Sequence, residues 1–256
     1  MAVHKTNSRQ KSICDYVARK GEASIADLST RLEVSAMTIR RDLDQLAEFG
    51  LLVRTHGGAA AISSVAVEPP FAMRMRTNDE AKKKIALLIS KQVVDGQTIL
   101  LDGGSTALAI AEELAGREVT VCTLSIKAAE VLARGDKTKV IVPGGMVRNG
   151  EMSLVGSEAE AFLGNYHFDT YLMTISAISH TGGLTEWNPE DAAMKRRALK
   201  SAKRVVLVCD ASKFGSEAFS RVANLSEADA LVTDGDLSDE SRKLAQDAGI
   251  ELHIAE

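Results

Sequence analysis

Cysteine is scarce in this chain, and what is missing around it sets the first limits. The 256 residues hold three cysteines, Cys14, Cys122 and Cys209. They lie far apart, each in an apolar run, and no C-x-x-C pair occurs, so buried thiols in a reducing compartment are expected rather than disulfides or a metal site. No apolar run is long enough to span a bilayer, and Met1 to Lys11 is polar and basic without an apolar h-region. The expectation is a water-soluble, cytoplasmic protein with no membrane contact. Positive charge is not in excess either: the formal net charge is -4, which argues against a generally basic, histone-like binder. That balance hides an asymmetry. Residues 1 to 60 carry nine Lys or Arg against seven Asp or Glu, leaving twenty-two against twenty-eight in the remainder.

What is present suggests a small module followed by a domain with a sizeable core. Composition divides the chain at 1–58, a linker at 59–80, and 81–256. The module centres on Val34 to Leu43. Ala36, Ile39, Leu43, Leu46 and Ala47 recur at three and four residues and so share one face of a helix. Ser35 stands at the N-cap, positioned to accept from the Thr38 amide, and Gly50 supplies a stop. Opposite the apolar stripe lie Met37, Thr38, Arg41 and Gln45, with Arg40 on the flank. This donor-rich face suits the base edges and phosphates of double-stranded DNA. An ordinary solvated helix face would read the same taken alone; the segments upstream decide between the two.

A first helix runs from about Ser8 to Arg19, marked by Ile13 and Val17 and ended by Gly21. A second begins at a Ser24/Asp27 capping pair, with Ile25, Leu28 and Leu32 on its apolar face. Glu33-Val34 is a very short turn into the third, so the last two helices cross sharply, as in a helix-turn-helix. After Gly50, Leu51 to Gly58 reads as strand, basic tip and glycine turn: a wing, with Arg54 and His56 in reach of a phosphate or a minor groove. From Ala59 to Val67 the chain is small and apolar, then Glu68-Pro69-Pro70 interrupts it before a basic run through Arg74, Arg76 and Lys82 to Lys84. That run reads first as a solvated helix face, with flanking DNA as the alternative.

Beyond Lys82, apolar strands alternate with helices. Strand-like runs are Thr98–Leu101, Val119–Cys122, Lys139–Val142, Tyr171–Ile175, Val205–Val208 and Ala230–Thr233; helical stretches include Ala107–Leu114, Ile126–Ala133, Glu158–Leu163, Ala192–Ala202 and Asp239–Ala248. This is an α/β pattern with a mostly parallel sheet covered on both faces, and its ligands belong at the carboxyl ends of strands. Directly after the first strand, Asp102-Gly103-Gly104-Ser105-Thr106 leads into a helix and offers amides, hydroxyls and a helix N-terminus to an anion. The fifth strand ends in Asp210-Ala211-Ser212-Lys213, where Asp210 and Lys213 would pair. The third ends in Pro143-Gly144-Gly145 with Arg148 nearby. A glycine turn can be purely structural, but three strand ends with matching polar equipment point to a site. Neither a Walker lysine nor a G-x-G-x-x-G fingerprint is present, so no nucleotide cofactor is implied.

Arg9, Ile13 and Val17, then seventeen residues to Ser35, Thr38, Ile39, Arg40, Arg41, Asp42 and Leu43, resemble the N-terminal signature of the DeoR family of bacterial transcription regulators. The resemblance implies that Thr38, Arg40 and Arg41 touch DNA and that Asp42 fixes its own helix or an arginine. Asp102 to Thr106, Gly144-Gly145 and Asp210 to Gly215 are similar to the effector domain of the same family, which shares the fold of ribose-5-phosphate isomerase and the sugar-phosphate isomerase/CoA-transferase group. Ala107 and Leu124 depart from the family pattern. Thr174 to Ser179, where the isomerase carries its acidic motif, has no carboxylate. A proton-moving isomerase needs a positioned base, so a non-catalytic sensor of a phosphorylated sugar is expected ahead of an isomerase-like enzyme. An NAD(H)-sensing redox regulator is the further alternative. The resemblance also implies repression of a carbohydrate operon relieved by ligand, and a homo-oligomer, dimer or tetramer, on a repeated operator.

Overall fold

The computed structural model describes residues 8–48, 51–60 and 68–256. Gly50 and residues 61–67 fall outside these. The chain forms two compact units, Met1–Thr77 and Asn78–Glu256.

The first unit runs α1 (Ser8–Lys20), β1 (Glu22–Ser24), α2 (Ile25–Leu32), α3 (Ala36–Glu48), β2 (Val53–Arg54), β3 (Gly58–Ala60) and α4 (Phe71–Arg76). Gly21 ends α1 at φ +80, with its amide on the Val17 carbonyl at 2.9 Å. Ser24 caps α2 by accepting from the Asp27 amide at 3.0 Å, and Glu33 in the left-handed region closes the helix. Ser35 accepts from the Thr38 amide at 3.2 Å, the cap that its position predicts. Ile13, Val17, Leu28, Ile39, Leu43 and Leu46 form one buried core with Ala23, Leu52 and Ala59. Ala36 leaves the expected stripe: on the first turn of α3 it is exposed.

Strand β3 pairs with β1 and β2 in a three-stranded antiparallel sheet of order β1-β3-β2. Three residues, Glu-Ala-Ser, are too few to show a period, so β1 was invisible in the sequence. It also explains Gly58, since a Cβ there would lie 2.0 Å from the Ala23 carbonyl oxygen. Strand β3 extends to Ala60, and α4 occupies part of the stretch that composition reads as a linker. Arg74 holds the approach to α4 through Glu68 at 2.9 Å and the Pro69 carbonyl at 3.0 Å.

The second unit continues with α5 (Asp79–Gln92), β4 (Thr98–Leu101), α6 (Ser105–Leu114), β5 (Thr120–Thr123), α7 (Ile126–Leu132), β6 (Lys139–Ile141), β7 (Met146–Val147), β8 (Leu154–Val155), α8 (Ser157–Leu163) and β9 (Phe168–Met173). It closes with β10 (Ala177–Ser179), β11 (Gly183–Glu186), α9 (Pro189–Ala198), β12 (Ala202–Val208), β13 (Ser220–Ala223), β14 (Ala230–Asp234), α10 (Asp239–Asp247) and β15 (Glu251–Ala255). Seven strands form one parallel sheet, β15-β14-β12-β9-β4-β5-β6. Side chains alternate between two cores. Leu100, Cys122, Tyr171, Met173 and Leu207 point to one face; Ile99, Leu101, Val121, Leu172 and Val206 point to the other.

The six expected strands are all in this sheet. The edge strand β15 was missed because Glu-Leu-His-Ile-Ala lacks an apolar run. Helix α9 starts at Pro189, earlier than expected, because Asn188 caps it by accepting from the Glu190 amide at 2.8 Å. The small sheet β10-β11-β13 and the hairpin β7-β8 are too short to read from pattern. Strand order grows outward from β4 through β5 to β6 and, on the other side, from β9 to β12, β14 and β15. The topological switch point therefore lies between β4 and β9.

Cys122 and Cys209 are buried and Cys14 half-buried, and none forms a disulfide. Burial pushes the Cys122 thiol up to about 12, which keeps it protonated and inert. No described helix is long and apolar enough to cross a membrane.

Asp42 is buried on α3 and takes Arg9 Nε at 2.5 Å, with Gln10 Nε2 at 3.3 Å. It fixes an arginine, as the resemblance implied. Asp42→Ala should cost about 1.5–3 kcal/mol, the usual worth of hydrogen bonds to a charged group. Urea denaturation should show this as a lower midpoint for the first unit with the second unchanged.

Candidate nucleic-acid interface and ligand crevice

On α3, the polar side is laid out for contact. Met37 is 69% exposed, Arg40 and Arg41 are exposed and Thr38 is half-buried, its hydroxyl 2.9 Å from that of Ser35. His56 stands exposed at the tip of the wing. One groove is lined by Arg40 and Ala36 from α3, Arg54 and His56 from the wing, and the start of α2. Helix and wing thus present one concave surface.

Two expected contact residues are engaged within the unit. The Gln45 amide oxygen accepts from Gln10 Nε2 at 2.7 Å, which turns it toward α1. Arg54 binds Asp44 at 2.9 Å and the Gly58 carbonyl, so it braces the wing rather than extending from it. Both have one cause: a nearby partner on the folded unit, invisible to a helical wheel, engages the side chain first, a donor for Gln45 and acceptors for Arg54.

In the second unit, the ends of β4 and β9 meet at the switch point. Gly104 precedes α6 at φ +96, a conformation glycine adopts without strain. The first-turn amides of α6 have no intrahelical acceptors and face outward with the positive end of the helix. The Ser105 and Thr106 hydroxyls have no hydrogen-bond partner among the described residues. Asp102, expected to face a ligand, is instead a buried post. Its Oδ1 accepts from the Gly103 amide at 2.8 Å. Its Oδ2 accepts from the Thr174 amide at 3.0 Å, the Thr174 hydroxyl at 3.1 Å, the Tyr171 hydroxyl at 3.2 Å and the Lys195 ammonium. Burial, then Asp102, raises the Tyr171 pKa well above its usual value, so Tyr171 stays a donor.

Lys195 is the residue that sequence reasoning missed. Its ammonium is buried against Asp102, the Thr174 carbonyl at 3.1 Å and Glu186 at 3.4 Å. Burial alone would lower its pKa; Asp102 and Glu186 outweigh that and raise it. Glu186 also accepts from the Ser176 hydroxyl and, at 3.0 Å, from the Trp187 amide. The segment Thr174–Ser179 carries no acid of its own, yet the fold brings it one from β11. In sequence, Lys195 lies in a helical stretch outside every motif, and a lysine four residues after an aspartate is an ordinary spacing on a helix surface.

Asp191 continues the network. It binds Arg148 Nη2 at 2.6 Å and the Ser153 hydroxyl at 2.8 Å. Burial raises the Asp191 pKa in spite of Arg148. Arg148, expected to serve an anion, is therefore already paired. Ser153 lies against Gly103, where an added Cβ would stand 3.6 Å from its Cβ. Gly145 has a packing role: at φ +110, a Cβ would come within 2.6 Å of the Val155 carbonyl oxygen. Gly144 has open space around it.

Asp210 and Lys213 do not pair. Asp210 accepts from Asn78 Nδ2 at 2.7 Å and from the Ser212 amide at 3.1 Å. Lys213 points to the Trp187 ring, 5.0 Å from its centroid. The three-residue helical turn after β12 sends the two side chains apart. Contacts nevertheless link Lys213 through Trp187, Glu186, Lys195 and Asp102 to Gly103, and Ser153, beside Gly103, accepts from Arg148 Nε at 3.3 Å.

A model described as the DeoR C terminal sensor domain matches residues 77–235, and one described as a DeoR-like helix-turn-helix domain matches residues 9–65. The chain belongs to the DeoR family. The glycerol-3-phosphate regulon repressor of Escherichia coli (strain K12) is 33% identical over 231 residues, 90% of this chain and 91% of that protein. The HTH-type transcriptional regulator GlpR of Haloferax volcanii is 32% identical over 242 residues, 94% of this chain and 95% of that one. Among solved structures, ribose 5 phosphate isomerase A from Neisseria gonorrhoeae shares 20% identity over 54% of each chain at a TM-score of 0.40, a likeness too distant to speak to activity. As a DeoR-family member the chain is a DNA-binding transcriptional regulator, with α2, α3 and the wing inside the matched reading domain.

Two outcomes follow from these geometries. Arg41→Ala should weaken operator binding by about 1–3 kcal/mol in a gel-shift titration at fixed salt, with folding unchanged because Arg41 is exposed. Lys195→Met should destabilise the second unit by about 3–5 kcal/mol, since it leaves Asp102 and Glu186 buried without their cation. Because the Lys195 pKa is raised on folding, its contribution is complete below the unfolded value of about 10.4 and fades only above it. Denaturation midpoints of the wild type should show no slope from this group between neutrality and about pH 10.

Proposed function

We propose that this regulator represses a carbohydrate-utilisation operon and is released by a phosphorylated sugar or polyol bound at the β4/β9 switch point. The observation that carries the reading is the start of α6: outward amides and two hydroxyls without partners among the described residues, at the place where open parallel sheets take ligands. The phosphate sits on Gly103 to Thr106, and Lys213 supplies the cation. Asp102 holds the floor, while Arg148, Gly144 and Gly145 shape the rim. The E. coli relative is named for a glycerol-3-phosphate regulon, which supports an effector of this class.

On DNA, Met37, Thr38, Arg40 and Arg41 read the major groove from α3, with Ser35 at its start; His56 reaches from the wing, while Gln45 and Arg54 support these contacts. One reading head covers only part of a helical turn, so the working form is a homo-oligomer that pairs two heads on a repeated site. The crevice senses rather than catalyses. Asp102 and Glu186 are both held by Lys195, so neither carboxylate is poised as a base.

Thr106→Val tests the reading, because it removes a hydroxyl of the cradle at nearly constant volume. In calorimetry, affinity for the cognate sugar phosphate should fall about ten- to hundredfold, the worth of a hydrogen bond to a charged group, while operator affinity stays unchanged. Unaltered effector affinity places the phosphate elsewhere, and turnover of the bound sugar phosphate makes the chain an enzyme.

A further inference from the structure

Lys213 is paired with Trp187, a residue that the regulatory reading leaves unused. Trp187 is the only tryptophan in the chain. It sits between β11 and α9, half-buried, and belongs to neither apolar core of its unit. Its packing role is therefore not that of a core aromatic. The base of the residue is nonetheless fixed, since its amide donates to the buried Glu186 carboxylate at 3.0 Å. Glu186 in turn meets Lys195, which binds Asp102 at the foot of the α6 turn. One face of the ring is covered by the Lys213 ammonium, 5.0 Å from the centroid.

An anchored indole beside a few polar groups is the usual lining of a small-molecule pocket. Its flat apolar face suits the C–H face of a sugar or polyol. The ammonium over that face is weakly held, because a cation on a half-exposed ring is worth less than the same cation on an anionic oxygen. A phosphorylated ligand therefore offers Lys213 a better partner and uncovers the ring in the same step.

We propose that Trp187 is a specificity-determining residue of the crevice, its ring carrying the carbon chain of the phosphorylated sugar while Lys213 exchanges the ring for the ligand's anionic group. This inference rests on the sugar-phosphate reading above. It adds a residue to the site and a reason for the lysine's position.

The single tryptophan makes its own reporter. The full chain is titrated with glycerol 3-phosphate, fructose 6-phosphate and ribose 5-phosphate, and with glycerol, fructose and ribose, following tryptophan emission and calorimetric heat in parallel. A phosphorylated probe that binds should shift the emission. Trp187→Ala should weaken that probe by about tenfold or more, and Trp187→Phe by no more than about threefold, as expected for loss or retention of an aromatic contact. Both variants should keep the wild-type urea midpoint, which separates loss of the contact from loss of the fold. Calorimetric binding at wild-type affinity in Trp187→Ala overturns the proposal and leaves the sugar-phosphate reading standing. If none of the phosphorylated probes binds the wild type, that reading falls and this proposal falls with it.

Discussion

A single buried ammonium organises the sensing half of this regulator. Lys195, on α9, reaches the carboxylate that ends β4, the carbonyl that follows β9 and the carboxylate that ends β11. Removing a charge from water costs several kcal/mol, and the cost is recovered only where counter-charges and hydrogen bonds are in good geometry. Here both conditions are met: Asp102 takes four donors at one oxygen, and the Lys195 charge is held in place with its pKa raised. The position of the α6 turn depends on this arrangement, since the Gly103 amide is itself bound to Asp102.

The same economy of partners operates in the reading unit. Asp42 anchors α1 to α3 through Arg9 and Gln10, and Gln10 also holds Gln45. Arg54 ties the wing to Asp44 on α3. With these polar groups satisfied inside the unit, Arg40, Arg41, Met37 and His56 are among the residues left facing solvent on the helix and wing. A rigid frame with a few exposed donors is what base readout requires, because the geometry of a bidentate contact tolerates little movement.

Burial of charge also bears on the proposal that the sensor domain does not catalyse. Two carboxylates stand near the proposed effector site, so the question of catalysis is not decided by counting acids along Thr174–Ser179. It turns on what those acids touch. Asp102 and Glu186 share one lysine, and Glu186 holds in addition a hydroxyl and a backbone amide. Their lone pairs are engaged in structure.

Local chemistry was enough for much of this molecule. The caps at Ser24 and Ser35, the stop at Gly21, the apolar period of α3 and the six near-continuous apolar strands each arise from neighbours within a few residues, so the sequence by itself determined a helix-turn-helix module followed by a parallel α/β domain, and pointed to Gly103–Thr106. Contacts across tens of residues were decided only by tertiary structure. Lys195 meets Asp102 over a separation of 93 residues, and Asn78 meets Asp210 over 132. No periodicity encodes such pairs, because which donor finds which acceptor depends on strand order and on the path of α9 over the sheet. That is why Asp210 and Lys213, three residues apart in the chain, part company in the fold, while Glu186, outside every motif, arrives beside Lys195.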